Sequence, residues 1–193
     1  MPLLLLLGVL AADLAATLWC WSQNGGPPEP GTRFVLLLPQ LLYVAVVTAV
    51  ARDADRRLLA AGLALLSLPM IAVSDLAIEV AAGDSWVEVE SPLLRLDALL
   101  VGLPLVAAWG AARLGGRWQV GLLAVPATVM VQMVLNRAVA TPVWEAAYPG
   151  PDGGPPVLPG VLWWAWELLP VLLGGLACRW AAGRPAPVTP PAS

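Results

Sequence analysis

Acidic, amide, guanidinium and indole side chains interrupt long apolar stretches of this sequence, and these are the groups on it that could do chemistry. The 193 residues include no histidine and no lysine, and the two cysteines, Cys20 and Cys178, are widely separated. An imidazole base and a Schiff-base lysine are therefore excluded, and two distant cysteines make a poor zinc site. We expect neither a metal nor another cofactor. Any reaction must then depend on carboxylates, guanidinium groups, amides, phenols and indoles.

One acid follows a cluster of tryptophans in the segment Trp163-Trp164-Ala165-Trp166-Glu167. Burial in an apolar, aromatic setting disfavours the charged form of a carboxyl group, so Glu167 is expected to keep its proton and to act as a general acid. Indole faces stabilise cations, which makes Trp163, Trp164 and Trp166 candidate walls of a site. An interfacial aromatic belt explains Trp163 and Trp164 equally well, because they lie near the expected start of a helix.

Other polar residues inside the apolar stretches are expected to face a shared pocket. Asp75 and Glu79 are four residues apart, a spacing that places both on one helix face. A charge in lipid costs about 3 kcal/mol or more, so such groups should face one another or a wet cavity, and the arginines among them should pair with acids. The alternative is that these groups only join helices through hydrogen bonds and ion pairs. The candidate substrate-binding residues are Tyr43, Arg95, Asp97, Gln132, Asn136 and Arg137.

Six apolar blocks must position these side chains, each near the roughly 20 residues that an α-helix needs to cross a bilayer. Apolar residues make up 59% of the chain and charged residues 12%, against about a quarter in a soluble domain. Lipid satisfies no backbone hydrogen bonds, so the blocks must be helices. The sequence predicts an all-α transmembrane bundle over residues 1–184 and a disordered Pro-rich tail over 185–193. The blocks cover residues 2–22, 34–51, 58–80, 92–112, 118–140 and 160–179.

The arginines predict the orientation of the bundle. Most of them lie in the regions 52–57, 113–117 and 179–184, whereas the loops after the first, third and fifth blocks hold only Arg33. Positive charge marks the cytoplasmic side, so we expect a multi-pass protein of the cell membrane with both termini in the cytoplasm. The intramembrane polar groups then fall mostly in the outer half of the membrane.

The first block is expected to be a retained helix, because no arginine or lysine precedes it and no A-x-A site follows. The net charge of −3 does not indicate the basic surface that nucleic-acid binding requires, so we expect no nucleic-acid partner.

Two short segments resemble the small integral-membrane terpene cyclases, in which one carboxylate on an early helix and one on a late helix are essential. Residues 74–79 (SDLAIE) place Glu79 at the early acid, with Ile78 where the family has tryptophan and without the family's asparagine. Residues 166–170 (WELLP) place Glu167 at the late acid, where the family usually has aspartate, before an apolar run that ends in Pro170. The family tends to have seven spans, against six here.

The resemblance implies a reaction through carbocations on a lipophilic prenyl chain that enters from the bilayer. Glu167 would protonate an alkene or epoxide of that chain, with Glu79 or Asp75 as the second catalytic acid. Tryptophan walls would stabilise the cation. The absence of lysine and histidine suits this chemistry, since strongly nucleophilic side chains quench carbocations.

Two other functions fit the same architecture. Six helices, cytoplasmic termini and a pocket beneath the outward loops also resemble the substrate-binding subunits of energy-coupling-factor transporters. The spacing of Ala11 and Ala15 in the first block would then suit packing against a partner membrane protein. A structural accessory subunit of a membrane complex needs only the helix-joining interpretation of the polar groups. The sequence leaves these alternatives open.

Overall fold

A computed structural model of the chain describes residues 2–24, 33–82, 86–135 and 157–183, and every regular element in these ranges is a helix. The predicted all-α fold with six helices is confirmed for this part of the chain. Short 3-10 turns, Arg33–Leu36 and Trp118–Leu123, lead into the second and fifth helices. The helices are α1 (Pro2–Asn24), α2 (Leu37–Val50), α3 (Ala54–Ala82), α4 (Trp86–Arg113), α5 (Ala124–Leu135) and α6 (Val157–Ala182).

Four helical segments are long and apolar enough to cross a membrane. They are Pro2–Gln23, Ala54–Val73, Trp118–Leu135 and Val157–Ala182. Two further apolar segments, Phe34–Val50 and Ala98–Arg113, are shorter. The latter is part of α4, which has 28 residues because it begins in the polar sequence before the predicted block.

Helix α3 also begins earlier than the apolar block predicts. The side-chain Oδ1 of Asp53 accepts a hydrogen bond from the backbone N–H of Arg56 at 2.8 Å, and the Asp53 carbonyl accepts one from Arg57 N–H at 3.0 Å. A carboxylate in this position satisfies an N–H group that the first turn of a helix cannot pair internally. The helix can therefore start at Ala54, in polar sequence.

Small side chains form the interior of the bundle, and large apolar side chains cover its outside. Ala60, Ala64 and Ala108 are fully buried, whereas Leu4 and Leu58 are more than 70% exposed. Helices in a bilayer pack closely through small residues, because lipid tails are as apolar as leucine and leave large side chains no reason to turn inward. An apolar outer surface of this extent is uncommon on a soluble monomer.

Helix α6 contacts α1, α4 and α5, and its glycines allow the close approach. A Cβ added at Gly174 would lie 2.5 Å from Val125 Cγ2 of α5 and 3.3 Å from Val106 Cγ2 of α4. Four residues before Val125, in the 3-10 turn that leads into α5, Gly121 packs directly on the α6 backbone at Cys178. Because Gly121 meets Cys178 and Val125 meets Gly174, α5 runs antiparallel to α6.

Six arginines gather at one end of the bundle, which we call the arginine end. The backbone N–H of Arg52 bonds the Ala112 carbonyl at 3.4 Å, which joins the end of α2 to the end of α4. Helix α4 runs parallel to α6, since Gly102 meets Val171 and Val106 meets Gly174. The C-terminal end of α6 is therefore at the arginine end, and its tryptophan-rich N-terminal half lies toward the opposite end. The arginines of this end are Arg52, Arg56, Arg57, Arg113, Arg117 and Arg179.

Candidate acid site on helix α6

Glu167 lies on the face of α6 that looks into the bundle. Seven residues earlier, a Cβ added at Gly160 would lie 3.2 Å from Trp21 Cγ of α1. Four residues later, Val171 lies against Gly102 of α4, with 3.3 Å between Val171 Cγ2 and a Cβ added there. Residues spaced by four and seven share one face of a helix, so Glu167 lies between these two contacts. Its side-chain Oε1 is buried.

Tryptophans from two helices surround the turn of α6 that holds Glu167. The rings of Trp21 on α1 and Trp163 on α6 are tilted by 56° with 6.4 Å between their centroids, a usual geometry for an aromatic pair. Trp163, Trp164 and Trp166 are each half-buried, and the indole nitrogen of Trp166 is buried. The three predicted indoles and Glu167 thus share one short stretch of α6, and Trp21 of α1 adds a fourth indole beside it.

Asp13 in the middle of α1 contacts the same stretch. The Trp164 indole Nε1 donates a hydrogen bond to Asp13 Oδ2 at 2.9 Å, and this bond joins α1 to α6. The sequence places Asp13 inside an apolar block, but no local pattern links it to α6, and it is not among the predicted site residues. Two carboxyl groups, Asp13 and Glu167, thus lie on or beside the tryptophan-rich half of α6.

Gln132 is fully buried, and its amide Nε2 donates to the backbone carbonyl of Trp166 at 2.6 Å. That carbonyl would normally accept from the N–H four residues later, but residue 170 is proline and has none. Gln132 on α5 therefore replaces the missing helical bond directly beside Glu167. Its own Oε1 is buried and has no hydrogen-bond donor among the described residues.

Tyr43 makes its hydrogen bond to α4, not to α6. Its hydroxyl donates to the Leu105 carbonyl at 2.7 Å and so joins α2 to α4. Nearby, Ser67 Oγ of α3 donates to its own helix at the Ala64 carbonyl at 2.7 Å and makes a long contact of 3.5 Å with Gln40 Oε1 of α2. In the described part of the chain, Tyr43 thus makes a helix-to-helix hydrogen bond.

The side chains of the remaining predicted site residues lie outside the described part of the structure. Asn136 and Arg137 lie outside the described residues. Four others belong to α3 and α4 but lie outside the part of the chain whose side chains are described. The pairing of Arg95 or Arg137 with an intramembrane acid therefore stays a prediction, as does the second catalytic acid. The four residues are Asp75, Glu79, Arg95 and Asp97.

The functional groups at the site are two carboxyl groups, one amide and several indoles. Within the described residues, no three His, Cys, Asp or Glu side chains gather that could hold a metal ion. Cys20 and Cys178 are buried near opposite ends of the bundle, and neither forms a disulfide. The groups present can donate or accept a proton at a carboxyl oxygen, and they can stabilise a nearby cation with indole faces.

The chain matches no protein-family model, no curated protein and no solved structure.

Proposed function

We propose that this chain is a multi-pass protein of the cell membrane with both termini in the cytoplasm. Four long apolar helices, leucines on the outer surface and small residues inside support membrane insertion. The collection of arginines at one end supports the orientation, because positive charge is retained on the cytoplasmic side. Cysteine labelling of intact cells tests it: a cysteine at Gly153 should react from outside and one at Ala54 should not. The reverse pattern would overturn the orientation.

Within this bundle, Glu167 acts as the acid that starts the cyclisation of a lipophilic prenyl chain. The observation that carries this proposal is the burial of a Glu167 carboxyl oxygen on a turn that holds Trp163, Trp164 and Trp166. A carboxyl group removed from water favours its neutral, proton-bearing form. A protonated carboxyl group can act as a general acid, and the adjacent indoles offer π faces to a developing positive charge.

The reaction conserves atoms from substrate to product. The Glu167 O–H bond breaks as the proton forms a bond to the terminal alkene carbon, or to the oxygen of a terminal epoxide. In the epoxide, the C–O bond to the more substituted carbon then breaks, and its electron pair stays on the oxygen as part of a hydroxyl group. The resulting tertiary cation is attacked by an internal double bond, which closes a ring and moves the charge along the chain. Loss of a proton from carbon to a carboxylate ends the reaction. Glu79 or Asp75 remains the predicted acceptor of that proton, and Asp13 is a further carboxylate beside the same turn.

A structural accessory role is the second candidate, and a specific observation favours it. The hydrogen bonds of Asp13, Gln132 and Tyr43 each connect two different helices. Buried polar groups used in this way stabilise a bundle without any reaction. The transport-subunit alternative has no such observation in its favour.

Incubation of membranes with linear prenylated compounds, with and without a terminal epoxide, separates the two functions. Wild type should form a product of unchanged mass, and Glu167→Gln should form none, since the amide keeps the shape but lacks the transferable proton. Asp55→Asn is the matched control, because Asp55 is an exposed acid in the first turn of α3. Product from Glu167→Gln at the wild-type rate would exclude Glu167 as the acid. No product from any wild-type incubation would favour the structural role.

A further inference from the structure

The arginine end has two corners that differ in how their charges are used. At the first corner, where α3 begins, Arg56 Nη1 donates to the Leu114 carbonyl at 2.7 Å and Arg56 Nε lies 3.3 Å from Asp53 Oδ2. Arg113 Nη1 donates to the Val50 carbonyl at 3.3 Å. These carbonyls end α2 and follow α4, where helices leave acceptors without internal partners. Asp53 and Asp55 also offset two of the four arginine charges at this corner. Arg56 and Arg113 are thus used by the fold itself, whereas Arg52 and Arg57 are exposed.

At the second corner, which we call the α6 corner, Arg117 and Arg179 lie near the C-terminal end of α6. The loop before Arg117 packs on that end: Gly116 has φ of 66°, and a Cβ added there would lie 3.3 Å from the Ala182 carbonyl oxygen. Both arginine side chains are exposed. Among the described residues, neither makes an ion pair or a side-chain hydrogen bond.

Charge at the α6 corner is not offset by nearby acids in the described sequence. Between residues 114 and 183, the described part of the chain holds one acid, Glu167, which is about 18 Å from Arg179 along the helix at 1.5 Å per residue. Within the described ranges 114–135 and 157–183, the corner therefore carries two arginines and no nearby acid. An anionic group is the complementary partner, and two guanidinium groups can hold a phosphate through several hydrogen bonds.

An apolar ridge leads away from these two charges along the outside of α6. Leu172, Leu173, Leu176 and Trp180 are between 41% and 63% exposed and recur at helical spacing. A shallow groove beside the ridge is lined by Leu176, Arg179, Trp180 and Gly183. Charge at the end and apolar surface along the span match a phospholipid, with its headgroup at the interface and its acyl chain beside the helix. A free phosphate ion would use only the arginines.

We propose that the α6 corner binds an anionic phospholipid, with the lipid phosphate held by Arg117 and Arg179 and an acyl chain along Leu172, Leu176 and Trp180. The site rests on the proposed membrane placement and is independent of any reaction at Glu167. It lies at the arginine end, whereas Glu167 lies toward the opposite end of α6. Binding there would fix the C-terminal end of α6 against the start of the 3-10 turn Trp118–Leu123, since Arg179 belongs to α6 and Arg117 directly precedes the turn.

Native mass spectrometry of the detergent-purified protein tests the site with phosphatidylglycerol and phosphatidylcholine of identical acyl chains. Wild type should retain phosphatidylglycerol in preference to phosphatidylcholine. An arginine in contact with the bound headgroup is worth about fivefold in affinity for an anionic lipid, so Arg117→Gln with Arg179→Gln should weaken retention about 25-fold. The matched control is Arg52→Gln with Arg57→Gln, exposed arginines at the other corner, and it should retain phosphatidylglycerol within about fivefold of wild type.

Three results would overturn the lipid site while leaving the membrane placement intact. They are equal retention of the two lipids, unchanged retention by the Arg117/Arg179 variant, and an equal loss in the control. Displacement of the lipid by inorganic phosphate at equal concentration would also contradict it, because the apolar ridge would then contribute nothing. Thermal melting in detergent confirms that each variant is folded, and Arg117→Lys with Arg179→Lys should recover part of the retention. Release of the wild-type chain from membranes by alkaline carbonate would instead overturn the membrane placement itself.

Discussion

Replacement of Gln132 by leucine should destabilise the bundle because it leaves the Trp166 carbonyl without a partner. Gln132 is 1% exposed and its Nε2 is 2.6 Å from that carbonyl, which Pro170 deprives of its helical donor. An unpaired buried polar group costs about 1–3 kcal/mol, whereas hydrogen bonds between membrane helices are worth about 0.6 kcal/mol on average. The substitution also removes the buried Oε1, which has no donor among the described residues, and this removal offsets part of the loss. We therefore expect a loss of about 1 kcal/mol in the free energy of unfolding.

A double-mutant cycle with Pro170→Ala isolates the cause. Alanine at this position restores the N–H that Trp166 O would use in an unbroken helix, so Gln132→Leu should cost less than about 0.5 kcal/mol in that background. Any cavity left by the loss of the proline ring is present in both proteins that carry Pro170→Ala, so it cancels when those two are compared. Chemical unfolding in detergent, followed by circular dichroism, measures all four proteins. Gln119→Leu is the control, since Gln119 is exposed and should change stability by less than about 0.5 kcal/mol. An equal cost of Gln132→Leu in both backgrounds would refute the proline argument.

Two further pairs of substitutions test the packing of α6. Gly174→Ala should lower the free energy of unfolding by about 1–3 kcal/mol, because the added Cβ would meet Val125; Gly175→Ala, which meets nothing within 4 Å, should not. Asp13→Ala and Trp164→Phe should each lower it by about 1 kcal/mol, and the double variant should lower it no further, because both remove one hydrogen bond. Equal effects at the two glycines, or full additivity of the second pair, would contradict these contacts.

Much of the fold follows from the apolar blocks, because a long apolar segment has no alternative to a helix in lipid. The ends of the helices do not follow from the same signal. Helix α3 begins at Ala54 because Asp53 caps it, and a hydropathy pattern does not register such a cap. The block that starts at residue 118 is a 3-10 turn up to Leu123 before α5 begins. Pro126 falls in the first turn of α5, where a helix needs no N–H donor.

The site could be predicted in part. The tryptophans and Glu167 are neighbours in sequence, so one helix brings them together without any tertiary information. The contact between Asp13 and Trp164 depends on α1 lying beside α6, which no local pattern specifies. Pro170 does predict an unpaired carbonyl at Trp166, four residues earlier. That Gln132 supplies the missing donor is again a consequence of helix packing, in this case of α5 on α6.

Deuterium incorporation tests most directly whether Glu167 transfers a proton to carbon. Membranes containing the wild-type protein are incubated in D2O with a linear prenyl chain that has a terminal alkene, and the product is analysed by mass spectrometry. Because the Glu167 carboxyl exchanges its proton with solvent before donating it, each cyclised product should carry a single deuterium on carbon, and Glu167→Gln membranes should give no labelled product. A cyclised product without deuterium, or the same labelled product from Glu167→Gln, would contradict the role of Glu167 as proton donor.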